Sequence, residues 1–211
     1  MNSSAVAMMM YRPWNMAIVN RPTACPNSTW PEVTGAAIRV LARVASQWDV
    51  PVEVHEHPVG WAAVQLQGVP LPDDTLAACR SADAVFIGAV GHPDAATVPP
   101  HRRPEAALLT LRASLGCHTN LRPVRATGVS LEASPLKPER AAGTDLLIVR
   151  ELAGGIYYGE PRGTRGSGPD RHAWNTMTYR APEIERVARA AFAFAADRRG
   201  RVTSVDKANV L

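Results

Sequence analysis

Residues 84–91 read AVFIGAVG. An unbroken apolar run that ends on glycines offers no polar face to water, which is the pattern of a strand buried on both sides and entering a loop. Such a strand predicts a parallel sheet, and its flanks agree. Upstream, LPDDTLAACRSAD (71–83) reads as a short helix led by Asp73 and Asp74, whose charges suit a positive N-terminal end and which serve as capping residues. PVEVHEH (51–57) alternates as a strand with Val52 and Val54 on one face. Before it, Pro31 suits a first helical turn, and Val33, Ala37, Val40, Leu41 and Val44 recur at helical spacing.

Downstream of the run, a Pro-rich loop (92–104) precedes a helix from Glu105 to about Leu115. LLIVRE (146–151) predicts a second buried strand, and GGIYYGEP (154–161) a strand leaving toward a mobile loop, RGTRGSGPDRH. PEIERVARAAFAFAADRR (182–199) is periodic as a helix, and VTSVDKANVL (202–211) reads as a closing strand. Strands alternating with helices predict an α/β fold with a largely parallel sheet flanked by helices. Residues 1–30, with Pro13, Pro22 and Pro26, read as an irregular or disordered segment in which MAIV (16–19) is a candidate short strand. Residues 31–211 read as one α/β domain, without internal repeats.

Composition narrows the function. At 211 residues and 46% apolar, the chain can bury a sizeable core. The net charge is +4, yet Lys137 and Lys207 are the only lysines and the arginines are scattered. No basic run with interleaved aromatics appears, so no nucleic-acid partner is predicted. Cys25, Cys79 and Cys117 are odd in number and far apart, which predicts neither a disulfide framework nor a zinc site and fits a reducing cytoplasm. AVAMMM (5–10) is too short to span a membrane, and its flanks lack the basic segment and small-residue cleavage site of a signal peptide. A soluble cytoplasmic protein with no membrane partner is expected.

Arg150 follows four apolar residues and emerges at the end of a predicted strand, where ligands of open α/β sheets sit. Its planar fork matches a carboxylate or phosphate, and a structural ion pair to Glu151 or a helix acid explains it equally well. Arg122, in TNLRPV, lies on a short extended segment fixed by the proline after it. Arg112 shares the apolar face of its helix with Leu108 and Leu109, and a solvated surface residue is the ordinary alternative. Of Tyr157 and Tyr158, adjacent in a predicted strand, only one can serve a given site. Packing is the commoner role for such a tyrosine, and donating a proton to a carbanion or enol is the chemical one. Lys207 reads either as an exposed strand-end residue or as a charge carried to a site. The RGTRGSG loop lacks the order of a phosphate cradle, and the six histidines show no metal-ligand spacing.

Taken in order, PEVTGAAIRVL, DAVFIGAVGHP, RPEAALLTLR, NLRPV, DLLIVRELAGGIYYGEPRG, the helix PEIERVARAAF and VTSVDKANVL closely resemble the amino-terminal half of 3-isopropylmalate dehydrogenases. Those enzymes belong to the β-hydroxyacid oxidative decarboxylases, with isocitrate and tartrate dehydrogenases as relatives. The resemblance covers about residues 31–211 and implies a fold truncated before its second half. It implies NAD- and metal-dependent oxidation of a 2-hydroxy acid, followed by loss of CO2, in leucine biosynthesis. Arg112, Arg122 and Arg150 are then expected to bind the two carboxylates of the malate unit. Lys207 is expected to help take the hydroxyl proton and Tyr157 to protonate the enol. Magnesium or manganese would polarise the hydroxyl and keto oxygens.

The same resemblance places Leu108, Leu109 and Val210 around the isopropyl group, Glu105 beside the nicotinamide ribose, and His92 and Pro93 in a cofactor-side loop. Adjacent leucines would leave the third carboxylate of isocitrate unpaired, so isopropylmalate is the expected substrate and a tartrate- or malate-type acid the alternative. Lys207 would reach across a homodimer to the partner's site, with the metal-binding aspartates and the adenine site downstream of Leu211. The chain departs from the family at CPNSTWPEV, where Pro26, Ser28 and Trp30 stand for three glycines of GDGIGPEV, and at GAVGHP, where His92 adds bulk. Two functions are carried forward: an incomplete and inactive portion of the dehydrogenase, and a non-catalytic dimerisation or dicarboxylate-binding module.

Overall fold

The computed structural model describes residues 14–19, 30–206 and 209. Where the sequence reads as one domain over 31–211, the chain divides into two compact units, residues 1–115 and 116–211.

The first unit is built on a three-stranded parallel sheet in the order β2-β1-β3. β1 (Trp14–Val19) is its central strand and extends the candidate MAIV by two residues. The rest of residues 1–30 lies outside the described residues except Trp30, where α1 (Trp30–Gln47) begins, with Pro31 in its first turn. In β2 (Val52–His57), Val52 and Val54 are half-buried and Glu53 and His55 exposed, the alternation the sequence predicts. α2 (Trp61–Gln67) was not evident in the sequence, because Gly60 and Gly68 bracket it so closely. Gly60, at φ 66°, presses against Val90, whose carbonyl accepts the Trp61 N–H at 2.9 Å; any Cβ there would clash with Val90. Gly68 closes the helix in the left-handed conformation.

α3 (Asp73–Ser81) forms as predicted, but its N-cap is Pro72; Asp73 and Asp74 occupy the first turn instead. β3 (Ala84–Ile87) is the parallel strand of the opening run, half-buried and ending before Gly88. The Pro-rich loop carries two 3-10 turns, Pro93–Thr97 and Pro100–Arg102, and leads into α4 (Pro104–Ser114). Val59, Cys79, Val90, Ala107 and Leu111 form the core, with Leu76, Val85 and Ile87 among the residues packed on it. The apolar stripe of α1 is not part of it: Val40 and Val44 are 64% and 47% exposed, and Trp48, just past the helix, 72%.

The second unit corrects the expectation of a largely parallel sheet. β4 (Thr119–Arg125) is followed by two single-turn helices, α5 (Val129–Glu132) and α6 (Pro138–Ala141). β5 (Asp145–Glu151) then pairs antiparallel to β4. The predicted burial of 146–151 also fails: Leu146 and Ile148 are 53% and 48% exposed, so the strand is covered on one face only. The predicted strand at 154–161 is instead a 3-10 turn at Gly155–Tyr157, since Gly155 sits at φ 71°, outside any strand conformation. The loop expected at 162–172 is a small hairpin of β6 (Gly163–Arg165) and β7 (His172–Trp174). α7 (Ala181–Ala196) lies against β5, its entry closed by the Glu183 carboxylate, which accepts the Arg180 N–H at 2.8 Å. Residues 202–206, predicted as part of a closing strand, are in no strand.

Candidate functional site

In the second unit the ribbon register decides where the arginines point. Asn120 stands opposite Arg150, and Arg122 opposite Ile148. Because side chains alternate with period two, Arg122, Ile148 and Arg150 share one face of the ribbon with Leu146 and Val124. This is the more exposed face, so both guanidinium groups are presented on an accessible surface. Arg122 donates from Nε to Asn120 Oδ1 at 2.7 Å, which fixes the fork along the strand.

Arg150 does not pair with Glu151, whose carboxylate accepts the N–H groups of Ala153 and Gly154 at 2.6 and 3.0 Å. It donates instead from Nη2 to the Tyr157 hydroxyl and lies over the same ring, 5.4 Å from its centroid. Two residues proposed from sequence for one reaction are thus in contact. The contact also has a direction. A guanidinium has donors and no acceptor, so the phenol oxygen must accept, and the phenol proton is left free for another group.

At the start of β5, three guanidinium groups surround one carboxylate. Arg198 Nη2 is 2.7 Å from Asp145 Oδ1, Arg125 Nε 3.4 Å from the same oxygen, and Arg199 Nη1 3.7 Å from Oδ2. The hydrogen bond from Arg198 is the largest influence on Asp145 and holds its carboxyl below the usual range, with partial desolvation opposing it. This cluster fastens the C-terminal end of α7 to the first residue of β5. It was not foreseen, since its arginines lie 20, 53 and 54 residues from Asp145 in the chain and carry no local motif.

In the first unit, Glu105, Leu108, Leu109 and Arg112 follow one another at i, i+3, i+4 and i+7 on α4 and so share one side of the helix. Glu105 is exposed and the other three half-buried. Leu108 packs against the core, so part of that side is structural. His92 caps the first 3-10 turn, its Nδ1 accepting the Asp94 N–H at 3.2 Å, and stacks on Trp61 with ring centroids 5.3 Å apart. Its added bulk is absorbed by that stack. Pro93 is exposed as the first residue of the turn. Lys207 and Val210 lie outside the described residues.

Among the described residues, no three His, Cys, Asp or Glu side chains are grouped so as to hold a metal ion. The described residues therefore do not by themselves fit a magnesium or manganese site. No described helix is long and apolar enough to cross a membrane. Of the cysteines described, Cys79 and Cys117 are both free, and burial pushes the Cys79 thiol up.

The pattern of the isocitrate/isopropylmalate dehydrogenase family matches residues 26–211. The 3-isopropylmalate dehydrogenase of Salinibacter ruber is 51% identical over 181 residues, covering 86% of this chain and 48% of that protein. That of Synechococcus is 46% identical over 181 residues, covering 86% and 51%. The crystal structure of isocitrate dehydrogenase from Methylococcus capsulatus aligns with a TM-score of 0.68 at 26% identity, over 93% of this chain and 52% of that one. A β-decarboxylating dehydrogenase from Thermococcus kodakarensis aligns with a TM-score of 0.60 at 28% identity, over 94% and 50%. The chain spans about half the length of the curated relatives it matches.

Proposed function

The chain belongs to the isocitrate/isopropylmalate dehydrogenase family, and on that footing we propose that it carries part of the active site of a 3-isopropylmalate dehydrogenase. The reaction is NAD-dependent oxidation of the 2-hydroxy acid, followed by loss of CO2. Arg122 and Arg150, on one accessible face, bind carboxylate oxygens of the malate unit, and Arg112 on α4 is a carboxylate-binding group of the first unit. Tyr157 gives its proton to the enol left by decarboxylation. Leu108 and Leu109 favour an isopropyl group over a further carboxylate. His92, Pro93 and Glu105 serve the cofactor side.

Lys207 takes the hydroxyl proton, acting in the partner's site of a cytoplasmic homodimer, and Val210 completes the apolar pocket. A magnesium or manganese ion, held by ligands other than the described residues, would polarise the substrate oxygens. The single observation that supports this reading best is the Arg150–Tyr157 contact. It joins an anion-binding group to a phenol whose proton remains available for transfer. The same surface also supports a dicarboxylate-binding module without turnover, because Arg122 and Arg150 share a face whether or not chemistry follows.

The test is calorimetric titration of the chain with 3-isopropylmalate, then NADH formation with manganese, alone and mixed with a separately made carboxy-terminal half of a relative. Binding that Arg150→Ala weakens roughly ten- to hundredfold is expected, from the loss of one or two charge-assisted hydrogen bonds. Turnover is expected only on mixing. Binding with no turnover in either case would favour the binding module, and equal binding by Arg150→Ala would refute both.

A further inference from the structure

We propose that Arg162, braced by Glu160, is the positioning residue of Tyr157, holding its main chain so that the phenol stays against Arg150. The inference rests on the reading of Tyr157 as proton donor.

Tyr157 ends a 3-10 turn of only three residues, and so short a turn has little stability of its own. Its glycine end is held from behind. The Gly155 N–H donates to the Thr178 carbonyl at 2.9 Å, and the Gly159 N–H to the Gly155 carbonyl at 3.0 Å. The chain at 176–179 lies directly on this backbone: a Cβ at Gly155 would run into the Tyr179 ring, and one at Gly159 into the Thr176 carbonyl. These contacts fix Gly155 and Gly159. None of them touches the main chain of Tyr157.

Arg162 does. Its Nη1 donates to the Tyr157 carbonyl at 3.0 Å, while its Nε lies 3.0 Å from Glu160 Oε1. The second Glu160 oxygen accepts the Arg162 N–H at 3.0 Å. Both carboxylate oxygens therefore work on one residue, and the guanidinium is braced against Glu160 as it reaches the Tyr157 carbonyl. A planar fork can donate along two fixed directions at once; a lysine ammonium on a flexible stem cannot hold both. In the sequence the pair is only two charges flanking the proline of GEPRG, with nothing to name a partner.

The consequence is directional. Arg150 requires the phenol oxygen as acceptor, and a phenol that drifts from Arg150 is free to turn its proton elsewhere. A clamp on the carbonyl of the same residue limits that drift without touching substrate.

The test uses the whole chain labelled with 13C at the tyrosine Cζ, with the Tyr157 resonance identified by its loss in Tyr157→Phe. Arg150→Gln is expected to displace this resonance. Arg162→Gln and Arg162→Lys should displace it in the same direction by at least half as much, and Glu160→Gln by a smaller fraction. The Tyr158 and Tyr179 resonances should stay in place, whereas general loosening of the unit would move them too. If Arg150→Gln moves the signal and the Arg162 and Glu160 variants do not, the positioning role is wrong while the Arg150–Tyr157 contact stands. If Arg150→Gln leaves the signal unmoved, the contact itself fails and takes the proposal with it. Should Arg162→Gln fail to fold, Arg162→Lys and Glu160→Gln decide in the same way.

Discussion

The two units hold their functional residues by different means. In the first, α4 is anchored by Ala107 and Leu111, each 1% exposed, in a core shared with Val59, Cys79 and Val90. Glu105, Leu109 and Arg112 ride on a helix whose position is set by apolar packing. In the second, Leu152, Ala141 and Ala195 are the buried apolar residues described, and the face bearing Arg122 and Arg150 lies open. Orientation there comes from hydrogen bonds and charge: Asn120 on Arg122, Tyr157 on Arg150, Arg162 on the turn, and three arginines on Asp145. One unit places residues by shape, the other by directed polar contacts. Substitutions should separate the two modes.

The largest effect is expected from Leu111→Ala. Deleting most of a fully buried leucine side chain costs about 2–5 kcal/mol, depending on how far the cavity collapses. Hydrogen exchange should show the loss across residues 52–115, with β5 and α7 of the second unit retaining their protection. A uniform loss over both units would contradict the division at Leu115. Next comes Gly155→Ala, which places a side chain at φ 71° and against Tyr179. Left-handed strain of this kind is worth about 1–3 kcal/mol. Denaturant unfolding followed by Tyr and Trp fluorescence should report it, together with weaker binding of 3-isopropylmalate.

The smallest effect is that of Asp145→Asn, because the carboxylate it removes is solvent-accessible and screened. Its sign is fixed by the hydrogen bond from Arg198, which lowers the folded-state pKa below the unfolded value of about 3.9. The carboxylate then contributes stability above that unfolded value and loses it as pH falls through the lower folded one. Melting temperatures of the two proteins should differ slightly at neutral pH and converge in acid below about pH 4. A gap that persists undiminished at the lowest pH would show that Asp145 acts by packing and not by charge.

Much of the first unit was legible because its signals are local. β2 alternates, the opening run is apolar to its glycines, and Pro104 and Glu105 open α4 within a residue of the expected start. The second unit depends on relations that no window of sequence contains. LLIVRE carries the composition of a doubly buried strand, yet its pairing with β4 leaves one face uncovered. Ile156 and the two tyrosines look like strand residues until the positive φ of Gly155 turns the chain. The charged residues of RGTRGSGPDRH conceal a hairpin whose turn glycines, at φ 77° and 53°, are its only trace. For the site, Arg122, Arg150 and Tyr157 stood out by position in the sequence, the resemblance gave their roles, and the fold supplied their contacts. Arg162 and Asp145 went unread, since a residue that holds another in place has no chemistry of its own to advertise.

Trp48, one residue past α1, is a gauge of that helix's uncovered stripe. Its indole stands in water, so collisional quenchers should reach it freely. Whatever polypeptide comes to rest along Val40 and Val44 would dry that ring and move its emission to the blue. Red emission that holds steady on dilution would mark a helix wet along that side.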